Sequence, residues 1–411
     1  MAVAALLLGP VPGTQAAEAG TARQPPVRID ADFPGGNIVV DSMVGDTVTL
    51  HPDLRDTAGN WFYWYFRVRG AAGRTLHFCF SESNPIGTRG PALSLDGGRT
   101  WSWLGTNAVA GKTFTCAFPR KAREGRLCFA IPYLESNLND FLKRHQRNRH
   151  LQVETLCQTP KGRRVELLRL GRVDGKAKQC VLLTCRHHAC EMIASYSLEG
   201  LMEAVLNSDE GRWLSEQVEF FVVPFMDKDG VEEGDQGKNR APHDHNRDYD
   251  GESRYASVRA VRELVTRQLG PRNIAFALDL HCPHIRGPLN ENIYFVGGPE
   301  QENWARVGQF AKVLEAVQRG PLCYRAADNL PHGQAWNTLE GPPRNFGRWA
   351  SVQPNVRLGT SIEIPYANVG ETTVTAGNAR AFGHDLARAL AQYLGLAAVP
   401  DNRRQREADL Y

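Results

Sequence analysis

The sequence contains no run of about 18 apolar residues, the shortest that commonly spans a membrane, so no membrane-spanning segment is expected. It also carries little excess charge, because 48 basic and 45 acidic residues leave a net charge of +3. Proteins that bind nucleic acid usually have a strongly basic surface, so no nucleic-acid partner is predicted. With 411 residues, the chain is long enough for two domains.

Cysteine pairs at metal-binding or disulfide-forming spacings are also absent. The nine cysteines include no Cys-x-x-Cys pair, and their total is odd. This pattern predicts neither a disulfide framework nor a thiolate zinc site. Most of the cysteines stand in apolar, strand-like segments, where a free thiol behaves as a small buried hydrophobic group. Reduced, structural cysteines are therefore expected.

The first residues carry an incomplete export signal. Residues 2–8 are apolar, and Thr14-Gln15-Ala16 resembles a small-residue cleavage site. No lysine or arginine precedes the apolar run, although signal peptides normally have one. We interpret residues 1–26 as either a signal peptide or a disordered tail, and a periplasmic or secreted protein is favoured over a cytoplasmic one.

Residues 27–135 are predicted to form an N-terminal antiparallel β-sandwich domain. The segment from Trp61 to Val68 is rich in aromatic residues, and Leu76, Phe78 and Phe80 alternate with other residues in the two-residue period of a half-buried strand. Short segments of this kind, separated by glycine, proline and aspartate, are typical of a sandwich.

Residues 136–398 follow a different pattern, in which apolar strands alternate with amphipathic helices. Strands are predicted at 165–170, 179–185, 218–225, 274–280, 292–296 and 358–364, and helices at 191–206, 255–268, 302–317 and 376–394. This alternation predicts an α/β fold with a mixed, mainly parallel sheet flanked by helices. The polar residues 399–411 are predicted to be a C-terminal tail.

A candidate metal site begins where the strand at 179–185 ends. His188 and Glu191 are three residues apart at the start of a helix, so both side chains can face one point. Ligand sites in α/β sheets gather at the carboxyl ends of strands, and an imidazole and a carboxylate together suit zinc. His187 is a rival ligand with a less familiar spacing to Glu191.

A third ligand is offered by the strand at 274–280. His281 stands at its carboxyl end, and Asp279, two residues earlier, could face the same way. His284 lies in the following loop and is the weaker candidate. Since the carboxyl ends of parallel strands meet at one edge of the sheet, His281 is expected near His188 and Glu191.

The loop after the strand at 218–225 is dense in polar residues, which indicates a site more than a linker. Its arginines include Arg240 and Arg247, and a guanidinium can bind a carboxylate through two parallel hydrogen bonds. Further along, Glu363 is a carboxylate within an otherwise apolar strand. Burial of such a charge is costly unless a partner, such as a metal-bound water, compensates it.

The order of these motifs resembles that of the zinc metallocarboxypeptidases of the pancreatic type. The motifs are, in order, His-x-x-Glu, Asp-Gly-Val, Arg, Asp-x-Asn-Arg, His and a strand-borne Glu. More narrowly, the chain resembles their cytosolic-carboxypeptidase-like branch, whose bacterial members carry an N-terminal β-sandwich. The motifs extend from His188 to Glu363. The β-rich segment followed by Ile131-Pro132-Tyr133 extends the likeness to most of the chain.

The resemblance implies a zinc cofactor, one ion per chain, and a ligand set. His188, Glu191 and His281 would hold the metal. Asp244 would orient His188 from behind.

The resemblance also implies how the substrate is handled. Arg240 would polarise the scissile carbonyl and stabilise the oxyanion, whereas Asn246 and Arg247 would bind the terminal carboxylate. Glu363 would act as the general base. Lys228-Asp229-Gly230 departs from the family, which more usually has Asn-Pro there.

Two further features concern the family's mobile tyrosine and its preference for the terminal residue. Tyr324 and Tyr366 both remain candidates for its mobile active-site tyrosine. Arg286, which follows the third ligand, suggests a preference for acidic terminal side chains.

The prediction is therefore a zinc-dependent metallocarboxypeptidase, a hydrolase acting on the C-terminus of peptides or proteins. The first alternative is a zinc-dependent deacylase of the same fold, of the aspartoacylase and succinylglutamate desuccinylase type. Those enzymes usually carry an extra β-domain after the catalytic region, whereas here it comes first. The second alternative is a non-enzymatic peptide- or glycan-binding protein that uses the aromatic β-domain, against which the complete set of ligands and base argues.

Overall fold

Two five-stranded sheets face each other at the start of the chain in the computed structural model, which describes Met1 and residues 26–209 and 211–398. Their orders are β1-β4-β10-β6-β7 and β2-β3-β5-β9-β8, and the pairings are antiparallel except for β3 with β5. The strands are β1 (Arg28–Asp30), β2 (Val39–Val44), β3 (Thr47–His51), β4 (Tyr65–Arg69), β5 (Thr75–Phe80), β6 (Ala92–Ser94), β7 (Ser102–Trp103), β8 (Val109–Ala110), β9 (Thr113–Ala117) and β10 (Glu124–Cys128).

Aromatic side chains fill the space between these sheets. Trp64 and Phe66 from one sheet meet Phe78, Phe80 and Phe114 from the other, and all five are buried. Each such side chain stabilises the fold by about 1.5–3 kcal/mol when fully buried. The alternating pattern of β5 arises because Leu76, Phe78 and Phe80 face this core. The prediction of a β-rich region in front of the α/β fold is confirmed.

A seven-stranded mixed sheet forms the second region, in the order β11-β12-β14-β13-β15-β17-β16. Its central pairs, from β14 to β17, are parallel, and its outer pairs are antiparallel. The strands are β11 (Leu151–Gln158), β12 (Arg164–Gly171), β13 (Gln179–Cys185), β14 (Val218–Val223), β15 (Ile274–His281), β16 (Tyr294–Val296) and β17 (Gly359–Glu363), followed by the separate hairpin of β18 (Asn368–Val369) and β19 (Thr372–Thr373).

Helices cover both faces of this sheet. They are α1 (Glu135–His145), α2 (Met192–Asn207), α3 (Arg212–Gln217), α4 (Lys228–Glu233), α5 (Ala256–Glu263), α6 (Gln301–Val317), α7 (Phe346–Ser351) and α8 (Ala376–Ala398). Along β13, Val181 and Leu183 belong to the core under α2 and α8, whereas Leu182 belongs to the core under α5 and α7. No helix in the described part of the chain is both long and apolar enough to cross a bilayer.

The sandwich and the sheet region share one continuous apolar core. Phe62 and Phe129 of the first region pack against Tyr366 of the second, with ring centroids 5.6 Å and 5.0 Å apart. Asn37 also donates a buried hydrogen bond of 2.7 Å to the carbonyl of Gly234.

The boundaries of the two regions, 27–135 and 136–398, stay a proposal. They are consistent with β10 ending at Cys128 and α1 beginning at Glu135. The tails predicted at residues 1–26 and 399–411 lie outside the described residues, apart from Met1 and Pro26.

Candidate metal centre

The carboxyl ends of β13, β15 and β17 bring distant parts of the sequence to one place. β15 ends at His281, which pairs with Glu363, the last residue of β17. After β13, the chain turns through Arg186, whose φ of 62° is left-handed, and reaches His188 and Glu191 before α2 begins. Parallel strands align these ends by their register, so the site follows directly from the order of the central strands.

His188, Glu191 and His281 point their ligand atoms at a common centre. His188 Nδ1 lies 2.9 Å from Glu191 Oε1, and His281 Nδ1 lies 2.6 Å from Glu191 Oε2. Ligand atoms from all three residues fall within 4.8 Å of one another. Burial alone would raise the pKa of Glu191, but Lys238 and the two histidines outweigh it and hold that pKa well below its usual value. The carboxylate is therefore ionised and ready to bind a cation.

Both histidines are held from behind by carboxylates. His188 Nε2 lies 3.3 Å from Asp244 Oδ1, and His281 Nε2 lies 2.5 Å from Asp279 Oδ2. A carboxylate on the outer nitrogen fixes the ring orientation and leaves the inner nitrogen as the metal-binding atom. Once the imidazoles have released their protons, two ring nitrogens and one carboxylate suit a catalytic zinc ion, so the residues present fit this metal.

His187, the rival ligand, belongs to a second group with Asp279 and His281. Both of its ring nitrogens are already engaged, Nδ1 with Asp279 Oδ1 at 2.9 Å and Nε2 with the Tyr249 hydroxyl at 2.8 Å. His187 is fully buried and does not line the cavity that opens beside the three metal-facing residues, whereas His188 does. His187 therefore supports Asp279, which in turn positions His281.

A cavity of about 390 Å³ opens beside the three metal-facing residues. Glu363 lines it, is buried, and has an Oε2 atom without a hydrogen-bond partner. Burial, opposed by His281 and reinforced by the charge of Glu191, raises the pKa of Glu363 to about 7. A carboxyl group with a pKa near neutrality can exchange protons in both directions during a reaction.

The raised pKa of Glu363 predicts a pH-dependent stability of the metal-free protein. The folded-state pKa of about 7 lies above the ordinary value of 4.5, so the folded chain retains a proton that the unfolded chain releases. This contribution is complete below the ordinary pKa and is lost as the pH rises through about 7.

Between about pH 5 and about pH 8, the melting temperature of the chelator-treated parent should therefore fall relative to that of Glu363→Gln. Scanning calorimetry of both proteins in matched buffers measures the difference. A difference that does not change with pH would contradict the assignment.

Asn246 and Arg247 reach the same cavity from a short 3₁₀ turn, His245–Arg247. The Asn246 amide is fixed by its oxygen, which accepts a hydrogen bond of 3.0 Å from the Phe346 backbone N–H. Arg247 is more exposed, and its Nη1 donates 2.8 Å to the carbonyl of Asn246.

Arg240 is not brought into this cavity. Its guanidinium pairs with Asp227 and Asp235, and it lines two other cavities. Lys238, two residues earlier, does line the cavity beside the metal-facing residues.

Three of the remaining sequence candidates, Tyr324, Tyr366 and Arg286, also lie away from the cavity. The Tyr324 hydroxyl donates to Asn329, and Tyr366 is buried between the two regions. Arg286 donates to the carbonyl of Asn84 and does not line the cavity. His284 lines its wall but is not part of the metal-facing group.

Several aromatic and charged cavity residues were not singled out as site residues from the sequence, among them Trp61, Tyr294, Trp336 and Arg348. Tyr294 is buried and pairs with Glu363 across β16 and β17, so its position depends on a short antiparallel edge strand. Arg348 donates to the carbonyls of Leu339 and Gly341. A search for polar residues near predicted strand ends could have found Tyr294, but nothing local marks the other three.

Comparison with known proteins gives a consistent result. A family model described as zinc carboxypeptidase matches residues 138–271. The chain is 26% identical over 69% of its length to cytosolic carboxypeptidase 2 of Danio rerio and 28% identical over 65% to cytosolic carboxypeptidase 3 of Bos taurus. It spans 44% and 30% of the length of these relatives, less than half in each case.

Solved structures agree on the fold. A metallo-carboxypeptidase from Burkholderia cenocepacia superposes with a TM-score of 0.74 at 22% identity, covering 90% of this chain and 100% of that one. A metallo-carboxypeptidase from Pseudomonas aeruginosa, in complex with (2-guanidinoethylmercapto)succinic acid, gives 0.71 at 21% identity, covering 90% and 99%. The predicted fold, a mixed sheet preceded by a β-rich region, is confirmed.

The names of the curated relatives also correct one expectation. They are cytosolic enzymes by name, so the prediction of a periplasmic or secreted protein is wrong. That prediction depended on residues 2–16, which lie outside the described residues.

Proposed function

We propose that the chain is a zinc carboxypeptidase, as the match of residues 138–271 to that family indicates, and that it hydrolyses the C-terminal peptide bond of peptides or proteins. One observation carries this proposal. A single cavity contains the metal-facing histidines, a buried carboxyl group with a pKa near 7, and an arginine next to a fixed amide. These groups are His188 and His281, Glu363, and Arg247 with Asn246.

His188, Glu191 and His281 would hold one zinc ion per chain. When bound, zinc lowers the pKa of a water molecule and polarises a carbonyl group. Asp244 and Asp279 keep both imidazoles in the orientation that this binding needs. The zinc and its number per chain are part of the proposal.

Glu363 would act as the general base. Its unpartnered Oε2 accepts a proton from the attacking water, and the same carboxyl group then passes that proton to the leaving amine. Burial raises the pKa of Glu363 in the metal-free chain, which favours a group that can both gain and lose the proton.

Arg247 and Asn246 would bind the free carboxylate at the end of the substrate. A planar guanidinium matches a carboxylate through two parallel hydrogen bonds, which a single amine cannot reproduce. The contact with the Asn246 carbonyl directs one edge of the guanidinium, and the residue lines the cavity. This contact makes the proposed enzyme an exopeptidase.

The assignment of Arg247 predicts a change in substrate selectivity. Arg247→Ala should raise KM for peptides with a free C-terminal carboxylate, with a loss of about 2–5 kcal/mol in kcat/KM when the bound peptide excludes water from the contact. It should leave the poor turnover of the matching C-terminal amides nearly unchanged, because they lack the carboxylate. Steady-state kinetics on one peptide in both forms measures this.

Arg344 offers a matched control. It lines the adjoining open cavity with Arg247 but not the main one, and its Nε lies 3.6 Å from Asp250. Arg344→Ala should therefore leave the ratio of acid to amide turnover intact. Equal losses on acid and amide substrates in Arg247→Ala would contradict the exopeptidase assignment and favour the zinc-dependent deacylase of the same fold.

We further propose a cytoplasmic location, as the names of the relatives indicate. The nine cysteines are all unpaired, including those in the sandwich, which suits a reducing compartment.

A further inference from the structure

The guanidinium of Arg240 is committed to carboxylates outside the main cavity. Its Nη2 pairs with Asp227, and its Nη1 lies 2.8 Å from Asp235 Oδ2 and 3.7 Å from Asp56 Oδ2. Asp227 is buried and caps α4 by accepting from the Gly230 backbone N–H. Removal of Arg240 would take the guanidinium away from the buried Asp227 and leave Asp235 with Arg55 as its remaining ion-pair partner, so the position of Arg240 indicates a structural anchor.

Lys238 is the cation that this loop places beside the metal-facing residues. Its Nζ lies 2.6 Å from Glu191 Oε1 and 3.4 Å from the carbonyl of Cys282. The side chain is 12% exposed and lines the same cavity as Glu363. The Nζ also sits 5.4 Å from the ring centroid of Trp61, a favourable cation–π distance.

The N-terminal region fixes the backbone around Lys238. The Asp56 carboxylate accepts from the backbone N–H groups of Gln236 and Gly237, at 3.0 Å and 2.9 Å. The Thr57 hydroxyl donates 2.7 Å to the carbonyl of Lys238 itself. Gly237 has a φ of 74°, and a Cβ there would lie 2.2 Å from the Ala189 nitrogen.

These contacts leave the loop little freedom. Backbone bonds on both sides of Lys238, and the close approach at Gly237, fix the direction in which its side chain leaves the chain. A preorganised donor aimed at developing charge is the most effective kind of electrostatic catalyst.

We propose that Lys238 is the catalytic cation that polarises the scissile carbonyl and stabilises the oxyanion, and that Arg240 is a positioning residue of the same loop. The proposal rests on the proposed peptidase function. As the water oxygen bonds to the carbonyl carbon and Glu363 takes the water proton, the carbonyl π electrons move onto oxygen. Lys238 Nζ donates a hydrogen bond to that oxygen, until the carbon–nitrogen bond breaks and the proton passes to the amine.

The first experiment compares the kinetics of Lys238→Met with those of the parent on a free-acid peptide. We expect kcat to fall by about 10²–10³-fold, the usual effect of removing one oxyanion donor, with a small change in KM. Lys121→Met removes the same charge from the surface of the sandwich and should behave as the parent does. Lys238→Arg keeps the cation and should recover part of the activity.

A second measurement does not depend on turnover. Calorimetry with a peptide analogue carrying a tetrahedral phosphonate should show weaker binding to Lys238→Met by a factor similar to the loss in kcat. An analogue with a methylene in place of the carbonyl should bind both proteins equally. Zinc content by native mass spectrometry should match the parent in Lys238→Met, since lysine is not a ligand.

Several outcomes would overturn the inference. They are an unchanged kcat in a folded Lys238→Met, equal losses of affinity for both analogues, or loss of zinc from that variant. A fall in kcat in Arg240→Lys without a fall in melting temperature would return the role to Arg240. A parent that releases no C-terminal residue although it binds zinc would instead contradict the proposed function.

Discussion

Replacing Glu363 with glutamine is expected to lower kcat by about 10²–10⁴-fold while the protein stays folded and keeps its zinc. The amide is nearly the same size as the carboxyl group but cannot accept the proton of the attacking water. Glu363 is the residue for this test because it is buried, lines the cavity and has an unpartnered oxygen. Kinetic assays of peptide hydrolysis, together with separate measurements of zinc content and melting temperature, test the three expected results.

Ser361 provides a control on the same strand. It lines the cavity two residues earlier but has no acidic group, so Ser361→Ala should change kcat by less than about tenfold. A Glu363→Gln variant within about tenfold of the parent would be too active for the loss of a general base. Glu363 would then have to be a structural carboxylate.

Removing one metal-facing histidine should abolish zinc binding and reduce turnover by more than about 100-fold, beyond the loss usual for a supporting residue. His188→Ala and His281→Ala each delete one of the two nitrogens that face Glu191. Native mass spectrometry should find about one zinc ion per parent chain and none in either variant.

Variants of the residues around the ligands should show smaller effects on zinc binding than variants of the ligands themselves. Asp279→Asn should retain zinc with an affinity about 10–100-fold lower, because Asp279 acts on the metal only through His281. His284→Ala should keep full occupancy, since its Nδ1 faces the carbonyl of Arg286 at 3.2 Å. Full zinc occupancy in His281→Ala would mean that the third ligand is misassigned, and His284 would become the candidate.

Much of the α/β region could be predicted from periodicity. The predicted strand at 179–185 coincides with β13, and the helix at 302–317 lies within one residue of α6. The helix predicted at 255–268 divides into α5 and a π-helical turn, Leu264–Gln268, because hydrophobic spacing does not distinguish the two backbones. β11 was missed, since its mostly exposed residues give no alternation.

Some residues of the candidate site could also be predicted from the sequence, and others could not. His188, His281 and Glu363 could be predicted to meet because strand order and register determine where strand ends lie. The position of Lys238 as a cation in the cavity could not be predicted in this way. Lys238 and Arg240 are two residues apart in one loop, and which of them faces the cavity depends on contacts with residues 56–61, far away in the sequence.

The core that runs from Trp64, past Tyr366, to Leu183 has a consequence for how the molecule loses its structure. Because the two regions share one core, loss of packing in the sandwich removes apolar contacts from the sheet region as well. Part of the free energy that keeps the catalytic loops in place is then held by the sandwich, which contributes little besides Trp61 to the cavity. A substitution deep in the sandwich would lower the folded fraction, and the yield of active protein, without altering any group that touches substrate.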